Sequence, residues 1–174
     1  MSNYKVKLLK IKAFAFDVDG VFTDGLVLAT DTGDLLRCHN AKDGYALKLA
    51  VSHKYPVAII TGGVSESIVK RYAPMGVQDI YLKSFDKLPD LLHFCSKYGL
   101  DISEVLYMGD DIPDISALKA CGVAACPSDA VEEVKAVCDF ISSFSGGRGC
   151  VRDVIEQTMK IQGKWLHAHN ASSS

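Results

Sequence analysis

The chain lacks an excess of charge of either sign, because 19 lysine and arginine residues nearly balance 21 aspartate and glutamate residues. This balance provides no basic surface for nucleic acid or for an anionic membrane. No apolar run approaches the roughly 18 residues that a membrane-spanning helix needs, and residues 1–5 lack the apolar core of a signal peptide. We therefore expect a cytoplasmic protein that binds neither nucleic acid nor membranes.

The cysteines lack the spacing of a disulfide framework or a zinc site, since none belongs to a C-x-x-C pair. Several lie within apolar stretches, where cysteine behaves as a small hydrophobic residue. We predict reduced, structural thiols, as is usual outside oxidising compartments. The six are Cys38, Cys95, Cys121, Cys126, Cys138 and Cys150.

With 174 residues, 48% of them hydrophobic, the chain fits one domain with a substantial core. Apolar strand patterns alternate with helical patterns, without an internal repeat or a low-complexity linker. This alternation predicts an α/β fold with a central parallel sheet that is covered on both faces. We place the domain at residues 1–162 and expect a disordered polar tail at 163–174. Strands are predicted near 11–16, 56–60, 79–82, 105–108, 122–126 and 139–142, and helices near 40–53, 65–73, 87–98, 130–137 and 150–161, with a further helix that has Pro113 in its first turn.

Residues 21–38 depart from this alternation and predict a β-hairpin that projects from the edge of the sheet. The apolar stretches Leu26-Val27-Leu28 and Leu35-Leu36 flank a polar, turn-rich stretch at 30–34. The apolar sides of such a hairpin need a partner, which another subunit could supply.

The most informative stretch is Asp17-Val18-Asp19-Gly20, directly after the first predicted strand. Two carboxylates this close repel each other unless a cation is present or one of them holds a proton. The pair therefore indicates a metal, a proton-transfer role, or both. Later strand ends add Thr61, the turn 83–87 with its two lysines, and Gly109-Asp110-Asp111. Because open α/β sheets bind ligands at the carboxyl ends of their strands, one cleft can collect all of these groups.

In this order, the motifs resemble those of the haloacid dehalogenase-like superfamily of phosphohydrolases. The resemblance covers about residues 10–160. Its four motifs match Asp17-Val18-Asp19-Gly20, Thr61-Gly62, Lys87 and the stretch 109–114. The superfamily implies a three-layer, Rossmann-like fold around a central parallel sheet.

A narrower resemblance is to the capless phosphatases of 3-deoxy-D-manno-octulosonate 8-phosphate (KDO 8-phosphate). It rests on the stretch 17–25, on Asp43-Gly44 and on the stretch 146–152. Cys150 departs mildly from this pattern, because a small residue such as alanine is expected there. The resemblance implies a fold without a cap domain and a phosphorylated sugar acid as the substrate.

The resemblance also implies roles for the acidic residues. Asp17 would attack phosphorus and form an aspartyl-phosphate, and Asp19 would protonate the leaving group and then activate water. Mg²⁺ prefers carboxylate and phosphate oxygens. The side chains of Asp17 and Asp110 and the main-chain carbonyl of Asp19 would hold it. Asp111 or Asp114 would contact the metal or lie just behind its ligands.

Other positions would bind the phosphate. Thr61 would offer its hydroxyl to a phosphate oxygen, and Gly62 and Gly63 would let backbone amides approach the phosphate at the start of a helix. Lys87 lies in the first turn of a helix, where a cation needs a nearby anion, and the nucleophile and the phosphate both qualify. Lys83 competes for this role from its position at a strand end, although the resemblance favours Lys87.

The implied substrate and assembly bring in two arginines. Arg148 or Arg71 would bind the carboxylate of the sugar acid, because a guanidinium can hold a carboxylate bidentately. The segment 145–162 would reach an active site, either that of its own chain or that of a neighbouring subunit in a homotetramer. Truncation after Ser145 is therefore expected to lower turnover more than stability.

Three alternatives stay open. A phosphatase of nine-carbon keto-sugar acid 9-phosphates, of the KDN or sialic acid type, is expected to carry an acidic residue where Gly63 stands. A receiver domain of signalling also combines acids, Mg²⁺, threonine and lysine, but its acids are adjacent on the first strand. A non-catalytic homologue would keep the fold without turnover, although every motif side chain is present here.

Overall fold

A computed structural model describes residues 4–166 of the protein. The strands are β1 (Ala13–Phe16), β2 (Leu28–Ala29), β3 (Leu35–Leu36), β4 (Val57–Ile60), β5 (Asp79–Tyr81), β6 (Val105–Met108), β7 (Val123–Cys126) and β8 (Phe140–Ile141). The helices are α1 (Tyr4–Leu8), α2 (Ala41–Ser52), α3 (Glu66–Tyr72), α4 (Lys87–Tyr98), α5 (Ile115–Ala120), α6 (Glu132–Lys135) and α7 (Cys150–Ile161). Short 3₁₀ turns span Ala73–Met75, Ile102–Glu104 and Ile112–Asp114.

Six strands form one parallel sheet in the order β5-β4-β1-β6-β7-β8. In the central register Phe14 lies opposite Val57 on one side and Leu106 on the other. The carboxyl ends of β4, β1 and β6 are therefore neighbours at one edge of the sheet. This edge receives the three sequence motifs that follow those strands.

The two faces of β1 carry side chains of different size because successive residues of a strand point to opposite sides. Phe14 and Phe16 pack on the face that α2, α3 and α7 cover, whereas Ala13 and Ala15 face α4, α5 and α6. All four are fully buried. The result is the three-layer α/β architecture that the alternation predicted, and none of the helices in residues 4–166 is long and apolar enough to cross a bilayer.

Helix α4 illustrates how local sequence fixes an element. The side chain of Asp86 caps its first turn by accepting a hydrogen bond from the backbone N–H of Leu88, and Gly99 ends it in the left-handed conformation. These are the two strongest helix boundary signals in that stretch of sequence. The helix runs over Lys87–Tyr98, as predicted, and so places Lys87 in its first turn.

The predicted hairpin at 21–38 is too long. Only Leu28–Ala29 and Leu35–Leu36 pair, and residues 18–23 instead form a tight turn directly after β1. The backbone N–H groups of Val21, Phe22 and Thr23 all lie within hydrogen-bonding distance of the Val18 carbonyl. Because Val21 and Phe22 are apolar, burial in the core outcompetes their extension into a strand.

The carboxyl-terminal segment is part of the core. Helix α7 lies beside α2 and buries Val151, Val154, Ile155 and Met159. Because α7 supplies these buried core residues, truncation after Ser145 is expected to lower stability substantially as well as turnover. The predicted tail also begins too early, because Trp165 is buried and packs on the core, and the rest of that prediction, 167–174, lies outside the described residues.

Hydrogen bonds to Asp43 hold the carboxyl-terminal segment against α2. The buried carboxylate of Asp43 accepts hydrogen bonds from the backbone N–H groups of Gly149 (3.2 Å) and Arg152 (2.8 Å), at the start of α7. The backbone of Gly146 passes so close to the turn after β1 that a Cβ there would lie 2.0 Å from the carbonyl oxygen of Gly20. The glycine-rich loop therefore supports the turn that carries the acidic pair.

Candidate active site

Polar groups from neighbouring strand ends line one cleft of about 310 Å³ at the carboxyl edge of the sheet. Asp17 follows β1, Thr61 follows β4 and Asp110 lies just beyond β6, while Lys87 enters from α4. The sequence predicted that these groups would meet, and the structure brings them together. The cleft is lined by Asp17, Asp19, Gly25, Thr61, Gly62, Gly63, Ser84, Phe85, Lys87, Asp110, Asp111, Pro113 and Asp114.

Lys87 lies between two buried carboxylates. Its Nζ is 2.8 Å from Oδ2 of Asp17 and 2.8 Å from Oδ1 of Asp114, and only 3% of its side chain is exposed. A buried ammonium group needs such partners because the interior does not solvate its charge. Lys83, the competing candidate, does not line the cleft and lies in a left-handed backbone conformation with φ 58°.

Asp114 organises the loop after β6 rather than facing the cleft freely. Its Oδ1 accepts hydrogen bonds from Lys87 Nζ (2.8 Å) and the Tyr107 hydroxyl (2.6 Å). Its Oδ2 accepts from the backbone N–H groups of Asp110 (3.0 Å) and Asp111 (3.2 Å). These four contacts occupy the acceptor positions of the carboxylate.

The pKa values show how strongly these charges are crowded. Burial first, and then the charge of Asp114, raise the pKa of Asp17 to about 6, although Lys87 opposes the shift. Burial and the charge of Asp17 raise the pKa of Asp110 to about 8. Burial lowers the pKa of Lys87, but the charges of Asp17 and Asp114 outweigh it and raise the value overall. The cleft therefore holds more negative charge than Lys87 alone neutralises.

The arrangement fits a hard divalent cation. One carboxylate oxygen from each of Asp17, Asp110 and Asp114 can be chosen so that all lie within 4.8 Å of one another. Because Asp114 is already saturated with hydrogen bonds, Asp17 and Asp110 are the better side-chain ligands. A Cβ at Gly20, whose φ is +79°, would lie 1.9 Å from Oδ2 of Asp110, so only glycine admits that carboxylate here.

Asp19 has a partner that the sequence did not indicate. Nε of Arg37 lies 2.6 Å from its Oδ1, and Nη2 lies 3.0 Å from its Oδ2. Arg37 stands directly after β3, on the hairpin arm. A single arginine after a short strand carries no local signal, and only the folded hairpin brings it to the cleft.

The threonine motif forms a turn rather than a helix start. Oγ1 of Thr61 accepts a hydrogen bond from the Gly63 backbone N–H (3.1 Å), which leaves the hydroxyl proton free to donate into the cleft. Helix α3 begins only at Glu66, with Ser65 as its cap. The helix begins where it was predicted, so Gly62 and Gly63 lie in the turn just before its cap rather than in its first turn.

The structure does not bring the two predicted substrate arginines into this cleft. Arg71 lines a second cavity of about 550 Å³ together with Arg37, His39 and apolar residues of the hairpin. Arg148 lines a third cavity, with 71% of its side chain exposed, and its Nη2 lies 3.7 Å from the carboxylate of Asp24. Asp24, the partner of Arg148, also lines the second cavity together with Arg71. Both arginines therefore lie outside the acidic cleft, on the side of the hairpin.

Comparisons with known proteins agree with this geometry. The sequence pattern of the haloacid dehalogenase-like hydrolases matches residues 47–152. The 3-deoxy-D-manno-octulosonate 8-phosphate phosphatase of Escherichia coli K12 is 32% identical over 166 residues, which cover 95% of this chain and 88% of the relative.

Solved structures agree as well. The crystal structure of the Moraxella catarrhalis 3-deoxy-D-manno-octulosonate 8-phosphate phosphatase, in complex with magnesium, phosphate and KDO, superimposes with a TM-score of 0.90 at 33% identity and covers 94% of each chain. A cobalt-bound phosphatase from Haemophilus influenzae superimposes with a TM-score of 0.88 at 30% identity, over 91% of this chain and 92% of the other.

Proposed function

Since the chain belongs to the haloacid dehalogenase-like hydrolases, and among them to the KDO 8-phosphate phosphatase family, we propose that it hydrolyses KDO 8-phosphate to KDO and phosphate. The observation that carries the proposal is the position of Asp17. It stands at the end of the central strand, fixed by hydrogen bonds from the Val18 backbone N–H (2.6 Å) and Lys87 Nζ (2.8 Å). A carboxylate held in this way is a suitable nucleophile for phosphorus.

The reaction uses the two acids of the first motif in turn. An Asp17 oxygen forms a bond to phosphorus as the ester P–O bond breaks, and Asp19 gives a proton to the departing sugar oxygen. A water molecule then attacks phosphorus and passes a proton to Asp19. Phosphate leaves, and the carboxylate of Asp17 is restored.

Magnesium is the proposed cofactor. The side chains of Asp17 and Asp110 and the main-chain carbonyl of Asp19 would hold it, and when bound it neutralises negative charge on the carboxylates and the phosphate. Lys87 and Thr61 would contact the transferring phosphoryl group, with the backbone of Gly62 and Gly63 beside it. Arg71 or Arg148, which lie outside the acidic cleft, would bind the carboxylate end of the sugar acid.

The proposed assembly is a homotetramer in the cytoplasm. The hairpin exposes large apolar side chains, among them Leu26 (75%), Leu28 (65%) and Leu36 (50%). Water-exposed leucines in one small element are typical of an interface, and a second copy of the chain would cover them.

A phosphate-release screen tests the proposed function. Wild-type protein with Mg²⁺ should release phosphate from KDO 8-phosphate faster than from nine-carbon keto-sugar acid 9-phosphates. Asp17→Asn should lower the rate by at least about 10³-fold because it removes the nucleophile. Asp31→Asn, in the exposed turn of the hairpin, is the matched control and should retain the wild-type rate. A wild-type protein that hydrolyses no phosphomonoester would refute the proposal.

A further inference from the structure

Arg37 makes a close two-point contact with Asp19. Two parallel N–H groups face the two carboxylate oxygens, at 2.6 and 3.0 Å, and a third donor, Nη1, bonds to the carbonyl of Leu35 at 3.2 Å. Only 4% of the arginine side chain is exposed. Planar guanidinium–carboxylate pairs of this kind fix orientation as well as adding energy. The pair therefore restrains the Asp19 side chain about its rotatable bonds.

Gly63 lies beside this arginine. A Cβ at that position would lie 3.6 Å from Nη2 of Arg37 and 2.8 Å from Cδ1 of Ile68. The guanidinium thus lies beside the Thr61-Gly62-Gly63 turn, at the boundary between the acidic cleft and the second cavity, which it lines.

We propose that Arg37 is a positioning residue that holds the Asp19 carboxyl in line with the leaving oxygen of the substrate. This inference rests on the proposed function. Each carboxylate oxygen has two acceptor positions, so an oxygen bonded to Arg37 still presents a lone pair to the cleft. When Asp19 carries its proton on one oxygen, the other still accepts a hydrogen bond from Arg37. The proton moves between Asp19 and the substrate or water, and Arg37 keeps its own protons throughout.

The arrangement also couples the hairpin to the chemistry. Arg37 directly follows β3, and the Nη1 contact with Leu35 anchors the guanidinium to the backbone of that strand. A displaced hairpin would therefore carry the guanidinium away from Asp19. Misplacement of a catalytic group by about 1 Å can lower a rate by about 10²-fold.

The test compares two leaving groups in Arg37→Ala. A sugar alkoxide needs a proton to depart, whereas p-nitrophenolate is a stable anion that leaves without one. We expect turnover of KDO 8-phosphate to fall by about 10²-fold. The first-turnover release of p-nitrophenolate from p-nitrophenyl phosphate, which precedes the water step, should stay within a few-fold of wild type. Lys12→Ala, which removes an ion pair with Glu104 far from the cleft, is the control.

Two further measurements separate positioning from folding. Guanidinium ions, added far below denaturing concentration, should restore part of the sugar-phosphate activity of Arg37→Ala but not change the wild type. Arg37→Lys should retain the fold, measured by its thermal unfolding, and lose less activity than Arg37→Ala. An equal loss on both substrates, without rescue, would show that Arg37 acts only on the structure and would overturn the inference. An inert wild-type protein would instead refute the proposed function itself.

Discussion

The charge crowding in the cleft predicts that the metal-free protein becomes less stable as the pH rises from 5 to 7. Asp110 is the main cause, because folding raises its pKa from 3.8 to about 8. The folded protein then keeps a proton that the unfolded chain has already lost. Stability contributed in this way is greatest below the unfolded pKa and falls as the pH rises towards the folded pKa.

The magnitude follows from these two pKa values. Between them, each pH unit changes the free energy of unfolding by about 1.4 kcal/mol for one group. From pH 5 to pH 7 the loss assigned to Asp110 is about 3 kcal/mol. Asp110→Asn removes the titrating group. Between pH 5 and pH 7 the metal-free variant should therefore lose less stability than the metal-free wild type, by about this amount.

Urea unfolding in the presence of EDTA, at pH 5, 6 and 7, measures the effect. Added Mg²⁺ should stabilise the wild type most at pH 7, by about 2.7 kcal/mol at a hundred times Kd, and should have little effect on Asp110→Asn. Asp31→Asn is the control and should follow the wild type. If the free energy of unfolding in EDTA fell equally with pH for the wild type and for Asp110→Asn, the reasoning would be refuted.

Three further predictions follow from the packing around the cleft. Lys87→Met should lower the free energy of unfolding by about 3–5 kcal/mol, because it leaves two buried carboxylates without their cation. The control is Lys97→Met, at the more exposed pair with Asp79, which should cost much less in the same urea titration. Gly146→Ala should weaken Mg²⁺ binding, measured by calorimetry, because its Cβ would lie 2.0 Å from the Gly20 carbonyl oxygen and displace the turn; unchanged affinity would contradict this. Deletion of 146–174 should abolish cooperative thermal unfolding followed by circular dichroism, since α7 completes the core, and a folded but inactive truncation would argue against it.

Short-range signals were enough to predict much of the architecture. Helix α4 could be placed from its capping residue and its final glycine, because both act within one turn of the helix ends. The meeting of Asp17, Thr61 and Asp110 was also predictable. Parallel strands bring their carboxyl ends to one edge, so a residue directly after a strand needs no further information to be located.

The extent of the hairpin was not predictable from local pattern. Val21 and Phe22 have the composition of a strand, but the core beneath them offers burial that an extended arm would forgo. Trp165 similarly follows a polar stretch, yet it packs on the core, so the packed part of the chain extends beyond residue 162. In both places, packing against residues that are distant in sequence fixes the conformation.

The sequence by itself determined which side chains stand at the strand ends and in the first turn of α4, and hence the acids and the lysine of the cleft. Only the tertiary structure decided how those side chains are held. Arg37 of the hairpin reaches Asp19, and Asp114 binds Lys87 and the backbone of the loop after β6. Such contacts depend on how whole helices and strands are placed relative to one another, and on which buried polar groups still need a hydrogen-bond partner. Neither property produces a local pattern in the sequence.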